Sequence, residues 1–374
     1  MIFVLFLLFP FTIHADEIEK DITSSIENEL EEFKDSLPKE IIDFLPDGIF
    51  DGNYSLLLEE IDEKSIWNYI IDYLFLGIGT TLKSFSGLFV LILISSIFEM
   101  LSSSFSSVAL NNTFSICSVL CVALSVFTLC HSLATNVSNY LCIICNVMSA
   151  FAPIMVGLQI LSGNITSATI SNASMVLFIS LVENFLVTFM LPLVNLCLMF
   201  GCVKAIGGIE FGGISKLVKT TFTSVTVFTM SIFMFIFSFK NVLSQGADTL
   251  TLKTARFAIS SFVPLVGASV NDALRTVSSS LSLIKNSCGV IAIIAIALIM
   301  LPIIIYLFLN KLSFGLLATI GKMLHCDKQA VILEEASSIC VYMLTLVCTS
   351  CALFIFTITI FIKTSLGALW ISIA

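Results

Sequence analysis

The sequence predicts an all-α, polytopic integral membrane protein with six to seven transmembrane helices. Of its 374 residues, 57% are apolar and 11% are charged, whereas soluble domains carry about 25% charged residues. The mean hydropathy is +1.06, and apolar stretches long enough to cross a hydrocarbon core of ~30 Å recur along the chain. This composition excludes a secreted enzyme. A basic nucleic-acid-binding module is excluded as well, because Arg256 and Arg275 are the only arginines.

The N-terminus predicts a secretory signal peptide at residues 1–15. The run MIFVLFLLFPFTIHA is too short to span a membrane and is followed directly by Asp16 and Glu17. It lacks the basic residue that usually precedes such a run, which indicates either an atypical signal or a start codon placed too far downstream. Cleavage would leave the following residues on the extracytoplasmic side of the membrane.

Residues 16–76 form a predicted acidic, helical extracytoplasmic region. Between residues 16 and 72 the chain holds 18 acidic residues and four lysines. Apolar residues recur every three or four positions from Ile18 to Leu37, as on one face of a helix, and Pro38 ends the pattern. This face either packs within a solvated collar or docks another extracytoplasmic protein.

The membrane domain is predicted to contain two repeated units. The first transmembrane helices occupy 77–139, repeat unit 1 occupies 140–249, and repeat unit 2 occupies 250–374. The repeat rests on FAPIMVG at 151–157, which returns as FVPLVG at 262–267, and on MLP at 190–192, which returns at 300–302. Both pairs are displaced by about 110 residues and keep their order, which is typical of a duplication.

The number of spans depends on two stretches of the repeats. Residues 257–283 are too polar for a lipid-facing span and are predicted to form a re-entrant or interfacial hairpin. If 140–161 does the same, each unit has two spans and the repeats run parallel, giving six spans; if 140–161 crosses the membrane, there are seven. The apolar stretch 173–203 is too long for one span, so a tilt, a kink or an interfacial first portion must absorb the surplus.

The sequence contains no motif that indicates catalysis, a metal site or a cofactor site, so we expect no enzymatic activity. The 12 cysteines include Cys142-x-x-Cys145 and Cys348-x-x-Cys351, but they lie in apolar segments without paired histidines, so we interpret them as packing residues. The Gly-rich stretch 207–213 lacks the Lys-Ser/Thr of a phosphate-binding loop and is predicted to be a turn between helices.

A few polar residues are candidates for a pathway or a subunit contact. Glu183 lies deep in an apolar segment, where an ionisable side chain is costly; it lines a pathway, pairs with a base such as Lys204, or sits at the membrane interface. The polar hairpin is either a pore or subunit contact or an amphipathic interfacial helix. The hairpin candidates are Lys253, Arg256, Pro264, Gly267, Asp272, Arg275 and Lys285.

The same hairpin carries a family resemblance. TARF at 254–257, FVPLVG at 262–267, Asp272-Ala273, Thr276-Val277, Lys285-Asn286 and Gly289 resemble the stage III sporulation protein AE family of endospore-forming bacteria. The plan of signal peptide, acidic helical region and duplicated membrane domain is similar over nearly the whole chain. MLHC at 323–326 departs from the family, which tends to have Pro and Gly there.

The resemblance implies a core subunit of the channel or secretion complex that joins mother cell and forespore. Such a subunit is multi-pass, lies in the mother-cell membrane around the forespore with its N-terminal region extracytoplasmic, and is needed for late forespore gene expression. The implied partners are the other stage III A proteins, through them stage II sporulation protein Q, and the lipid bilayer; no cofactor, catalytic residue or nucleic acid is implied. The alternative is a stand-alone secondary transporter or permease for a small solute with Glu183 as an ion site, since internal repeats are common in transporters.

Overall fold

The protein is a bundle of long helices. The computed structural model describes residues 63–102, 108–161, 165–181, 188–207, 212–262 and 267–370, and residues 33, 34, 37, 38 and 42 of the N-terminal region. Every long element in these ranges is helical, which confirms the all-α prediction. The helices are α1 (Glu63–Ser102), α2 (Val108–Leu161), α3 (Ile165–Leu181), α4 (Thr188–Gly207), α5 (Gly212–Phe262), α6 (Gly267–Met323) and α7 (Asp327–Trp370).

Five of these helices contain a stretch that is long and apolar enough to cross a membrane. α4 adds a shorter apolar stretch, Pro192–Ile206. The bundle also exposes large apolar side chains on its outside, such as Phe75 on α1 and Phe235 on α5, a surface that suits lipid and not water. The five stretches are Ile70–Leu101, Thr113–Ile160, Lys216–Lys240, Cys288–Met323 and Asp327–Lys363.

Contacts between neighbouring helices give the direction of each helix. The two ends of the bundle are named after the connections at the two ends of α6. At the turn end, residues 324–326 join α6 to the antiparallel α7; at the hairpin end, α5 finishes and α6 begins. α1 runs parallel to α6, because Gly77 lies against Leu309 and the Ser96 hydroxyl donates to the Leu324 carbonyl over 3.3 Å.

α2 and α5 run parallel to α7, from the turn end to the hairpin end. On α2, the ring of Phe151 contacts that of Phe361 with centroids 6.1 Å apart. On α5, Phe222 contacts Tyr342 with centroids 5.7 Å apart. α7 therefore lies at the centre, in contact with α2, α4, α5 and α6.

The overlong apolar stretch 173–203 is divided between α3 and α4. Both helices run toward the turn end: Phe178 on α3 packs edge-on against Phe354, and Gly201 on α4 lies against Glu335. Counted as one pass, they bring the described chain to six passes between the ends of the bundle. The surplus length is thus absorbed by using two helices for one pass.

The expectation for residues 140–161 was wrong in detail. They are neither a separate span nor a re-entrant hairpin; they are the second half of α2, which continues through Pro153. Ile144 and Met148 bury this half in the core. The polar stretch 257–283 likewise falls on the end of α5 and the start of α6. The predicted boundaries at 76/77, 139/140 and 249/250 lie inside α1, α2 and α5, and the division into units stays a prediction.

Close approach of α6 and α7 depends on small residues near both ends of the pair. A Cβ at Gly289 would come within 2.6 Å of Cδ1 of Ile362, and one at Gly321 would lie 3.4 Å from Cβ of Ala330. Apolar helices have no hydrophobic drive to associate in lipid, so side-chain packing at such small residues is what holds them together.

Many hydroxyl groups on the apolar helices are satisfied within their own helix. Each of several Ser and Thr side chains donates a hydrogen bond to the carbonyl four residues earlier. This lets a polar side chain lie on an apolar helix without another helix to supply an acceptor. Examples are Thr128 to Leu124 at 2.9 Å, Thr345 to Val341 at 3.0 Å and Thr357 to Leu353 at 2.9 Å.

The turn between α6 and α7 is a Schellman motif with histidine at its left-handed position. The amide of Cys326 donates to the carbonyl of Gly321 over 2.8 Å, and that of His325 donates to Lys322 over 3.2 Å. His325 has φ 60°, a conformation that favours glycine. This is where the sequence departs from the family's Pro and Gly, and the turn forms with histidine.

The N-terminal region reaches the hairpin end of the bundle. Phe33 and Leu37 are buried, and the ring of Phe33 lies 5.3 Å from that of Phe151 on α2. Phe33 is helical and Pro38 is not, as predicted. The two described residues of the apolar face therefore pack on the membrane domain, which is neither of the two roles expected for them.

The cysteines are distributed as packing residues within the described helices. None of the 12 is in a disulfide, and half of them are buried. The described residues contain no group of His, Cys, Asp and Glu that could hold a metal ion. In the turn between spans, burial raises the pKa of the Cys326 thiol, and the nearby Glu99 carboxylate raises it further.

Replacing His325 by glycine should stabilise the turn. A left-handed residue with a Cβ costs about 1–2 kcal/mol, which is partly offset by the extra unfolded-state freedom of glycine, about 0.4–1 kcal/mol. We expect His325→Gly to raise the free energy of unfolding by at most ~1.6 kcal/mol, measured by thermal unfolding in detergent. His325→Ala is the matched control because it removes the same exposed side chain and keeps Cβ. A gain of equal size in both variants would contradict the strain argument.

Candidate functional site: a charged cavity between three helices

A polar cavity of about 540 Å³ lies near the turn end of the described bundle. Its walls come from the C-terminal part of α4, the first turns of α5 and the first third of α7. These segments meet because α4 runs into the turn end and α5 leaves from it. The charged and aromatic side chains on its walls are Lys204, Lys216, Lys219, Glu334, Glu335 and Tyr342.

An ion pair between α5 and α7 closes one side of the cavity. Nζ of Lys219 lies 2.6 Å from Oε1 of Glu335, and the two side chains are 12% and 17% exposed. The charges are largely removed from water, so each compensates the desolvation of the other. The pair joins the last helices of the two predicted repeat units.

Gly201 on α4 makes room for this ion pair. A Cβ at that position would lie 2.9 Å from Cγ and 3.2 Å from Cβ of Glu335. Glu335 is therefore held between the backbone of α4 and the ammonium of Lys219. Its neighbour Glu334 pairs instead with Lys322 on α6, and that pair is about half exposed, with side chains at 49% and 52%.

Two lysines on the cavity wall have no carboxylate partner among the described residues. Lys204 is half-buried near the end of α4, and Lys216 is exposed at the start of α5. Since Lys219 and Glu335 neutralise each other and Glu334 pairs with Lys322, the cavity keeps an excess of positive charge.

Tyr342 adds a buried hydroxyl group to the cavity. The residue is 5% exposed and its ring is fixed by the edge-on contact with Phe222. Its hydroxyl makes no hydrogen bond within the described structure. A buried polar group without a partner costs free energy, and this oxygen has almost no accessible surface.

A second polar cluster lies across the turn end, where α7 meets α2. The Lys328 ammonium donates to the Ser115 hydroxyl over 2.9 Å, and the Gln329 amide donates to the Ser118 hydroxyl over 3.1 Å. These side chains satisfy each other. This cluster therefore fixes the register of α2 on α7.

Of the residues predicted from sequence, those whose backbone is described lie away from this site. Glu183 and Pro264 lie outside the described residues, and so do the side chains of the other candidates. The backbone places Lys253 and Arg256 near the end of α5, about 50 Å along the helix from Lys219. Gly267, Asp272, Arg275 and Lys285 lie in the first part of α6. These candidates are thus at the hairpin end, opposite the cavity, and their roles stay predictions.

Sequence reasoning missed the cavity because it interpreted the Gly-rich stretch 207–213 as a turn between helices and assigned no role to the charged residues that follow it. The available signal was the Glu334-Glu335 pair in the first turns of an apolar helix of repeat unit 2. Lysines lie just before the corresponding apolar helix of repeat unit 1, at 204, 216 and 219. Pairing of Lys219 with Glu335 across 116 positions could not be read from local spacing.

Comparison with known protein families shows that most of the chain matches one family. The family described as Stage III sporulation protein AE matches residues 51–365. The chain belongs to the stage III sporulation protein AE family. This confirms the resemblance read from residues 254–289, and it assigns the chain a role in sporulation.

One curated relative shows how far the similarity extends. The chain is 26% identical over 178 residues to Stage III sporulation protein AE of Bacillus subtilis (strain 168), an alignment that covers 46% of this chain and 44% of that protein. The match thus spans less than half the length of that relative. No solved structure matches the chain.

The buried ion pair predicts that removing Glu335 lowers the stability of the protein more than removing its neighbour Glu334. Removing one partner of a largely buried pair costs about 3–5 kcal/mol, whereas an exposed pair contributes about 0–1 kcal/mol. We expect Glu335→Ala to lower the unfolding temperature in detergent strongly and the matched control Glu334→Ala to lower it little. The double variant Lys219→Ala/Glu335→Ala should lose less than the sum of its single variants. Equal losses for both glutamates would contradict the assignment of Glu335 as the buried partner.

Proposed function

We propose that this protein is a membrane-embedded core subunit of the complex that joins mother cell and forespore. In this proposal it lies in the mother-cell membrane around the forespore and is required for late forespore gene expression. Its partners are the other stage III A sporulation proteins and, through them, stage II sporulation protein Q. The observation that carries the proposal is the family match over residues 51–365.

The packing of the bundle supports a structural role, because the interior of one chain is filled by side chains. The interior is filled by large buried side chains, including Phe151, Phe178, Phe314, Phe354 and Phe361. A core packed in this way is rigid and closed. In our proposal, any conducting path is therefore formed together with partner subunits.

The N-terminal region gives the proposed orientation. Phe33 packs on Phe151 at the hairpin end, so the described part of the N-terminal region lies at the same end of the bundle as the end of α5 and the start of α6. If the signal peptide directs the acidic region across the membrane, this end faces the space between the two membranes. Lys253, Arg256, Asp272 and Arg275 would then be available to partners, and the charged cavity would face the mother-cell cytoplasm.

The stand-alone transporter is the competing proposal, and the repeat is the observation that favours it. Both MLP motifs lie on helices that run toward the turn end, α4 and α6. The ion pairs that the structure describes, Lys219–Glu335 and Lys322–Glu334, both lie near one end of the bundle, whereas transporters place their site near the midplane. We therefore favour the complex subunit.

Gene deletion separates the two proposals. Loss of a complex subunit should arrest sporulation after engulfment and abolish a late forespore reporter, while loss of a stand-alone transporter should leave heat-resistant spores. Complementation with Lys253→Glu/Arg256→Glu should fail if the hairpin binds partners, and Lys240→Glu on the same helix should restore spores. Immunoblots must show equal amounts of both variants. Normal sporulation of the deletion strain would overturn the proposal.

The proposed orientation can be tested with an impermeant thiol reagent. In growing cells that express the full chain in the plasma membrane, Thr254→Cys at the exposed hairpin end should be labelled from outside. His325→Cys at the turn end should be labelled only after permeabilisation. The unmodified chain, with its native cysteines, gives the baseline. The reverse pattern would place the acidic region in the cytoplasm and contradict the orientation.

A further inference from the structure

The charged cavity continues into an apolar groove between α5 and α7. The groove has a volume of about 450 Å³ and shares Thr345 with the cavity. Val227, Met230 and Met234 form the α5 side, and Leu344 and Leu353 contribute to the α7 side. Polar and apolar compartments thus meet end to end along one helix seam.

The dimensions of the groove fit an acyl chain. From Thr345 to Leu353 it follows α7 for about 12 Å at 1.5 Å per residue, close to the depth of one leaflet, ~15 Å. Met230 and Leu353 are each 2% exposed and form a buried floor, while Val227 is 42% exposed at the rim. The groove is therefore open along its length and apolar at its base.

The charge of the cavity fits an anionic headgroup. Lys204 and Lys216 line the cavity and have no carboxylate partner among the described residues. Their ammonium groups are donors from which a phosphate group accepts hydrogen bonds. Basic pockets between transmembrane helices bind phospholipid headgroups for this reason.

We propose that this seam binds one anionic phospholipid, with its phosphate at Lys204 and Lys216 and one acyl chain in the α5–α7 groove. The juxtaposition of an unpaired basic cavity with an apolar groove at its edge is specific to an amphiphile. A free phosphate would use only the cavity, and a second protein copy would use only the exposed rim. The bound lipid would join α4 and α5 to α7, the same helices that meet at the Lys219–Glu335 ion pair.

Lipid binding to the purified full chain tests the proposal without any sporulation readout. In neutral detergent, the unfolding temperature is followed as phosphatidylglycerol, phosphatidylcholine or inorganic phosphate is added. A ligand that binds the folded state raises this temperature in a saturable way. We expect phosphatidylglycerol to raise it and phosphatidylcholine and inorganic phosphate to raise it far less.

Matched variants address the two halves of the site separately. Lys204→Gln/Lys216→Gln should weaken phosphatidylglycerol binding about fivefold for each lysine, from the attraction of one basic residue to anionic lipid. Lys240→Gln/Lys363→Gln makes the same charge change at exposed positions outside the cavity and should leave binding unchanged. Ala352→Phe fills the groove and should weaken binding, whereas Val225→Phe on the exposed face of α5 should not.

Three results would overturn the proposal. Equal losses in the two double-lysine variants would mean a general attraction of anionic lipid to the surface. A full effect from inorganic phosphate, with Ala352→Phe unaffected, would mean an anion site without an acyl chain. A change of oligomeric state in Ala352→Phe, measured by size-exclusion chromatography with light scattering, would mean that the groove holds a second copy.

Discussion

The arrangement of the bundle depends on the close packing of α7 against its neighbours. Water does not drive helices together inside a membrane, so contacts between side chains and backbones must do so. Gly289 and Gly321 let α6 and α7 approach near both ends of their contact, and Gly201 does the same for α4. The positions of α2, α4, α5 and α6 are all set by contact with α7. The cavity exists because three of these helices meet there without filling the space.

Polar contacts fix how far each helix is displaced along its neighbour. Among apolar helices, shape alone permits sliding, because neighbouring leucine, isoleucine and phenylalanine side chains are nearly interchangeable. Lys219–Glu335, Lys328–Ser115 and Gln329–Ser118 each link a defined position on α7 to one on another helix. All three lie near the turn end, so that end is specified by polar contacts and the opposite end by aromatic ones such as Phe151–Phe361.

The sequence predicted the fold class, but not the site. Hydropathy is a local property, so stretches such as 220–239 and 288–309 could be recognised from composition alone. Helix continuity was harder: 114–135 and 140–161 look like two segments because polar residues separate them, yet His131 and Thr135 remain within α2. The Thr135 hydroxyl donates to the carbonyl four residues earlier, at 3.0 Å, which removes the reason for the helix to end. The cavity brings together residues more than a hundred positions apart, and no periodicity reports such a contact.

The common direction of the α4–α5 and α6–α7 hairpins has a consequence for the two faces of the molecule. Two units in opposite directions would present similar surfaces to both compartments, and the differences between the faces would cancel. Two units in the same direction add their differences, so the charged cavity lies at one end of the bundle while Phe33 of the N-terminal region packs at the other. A membrane protein with this geometry presents a different surface to each side of the membrane. Insertion in the reversed sense would exchange every one of these surfaces at once.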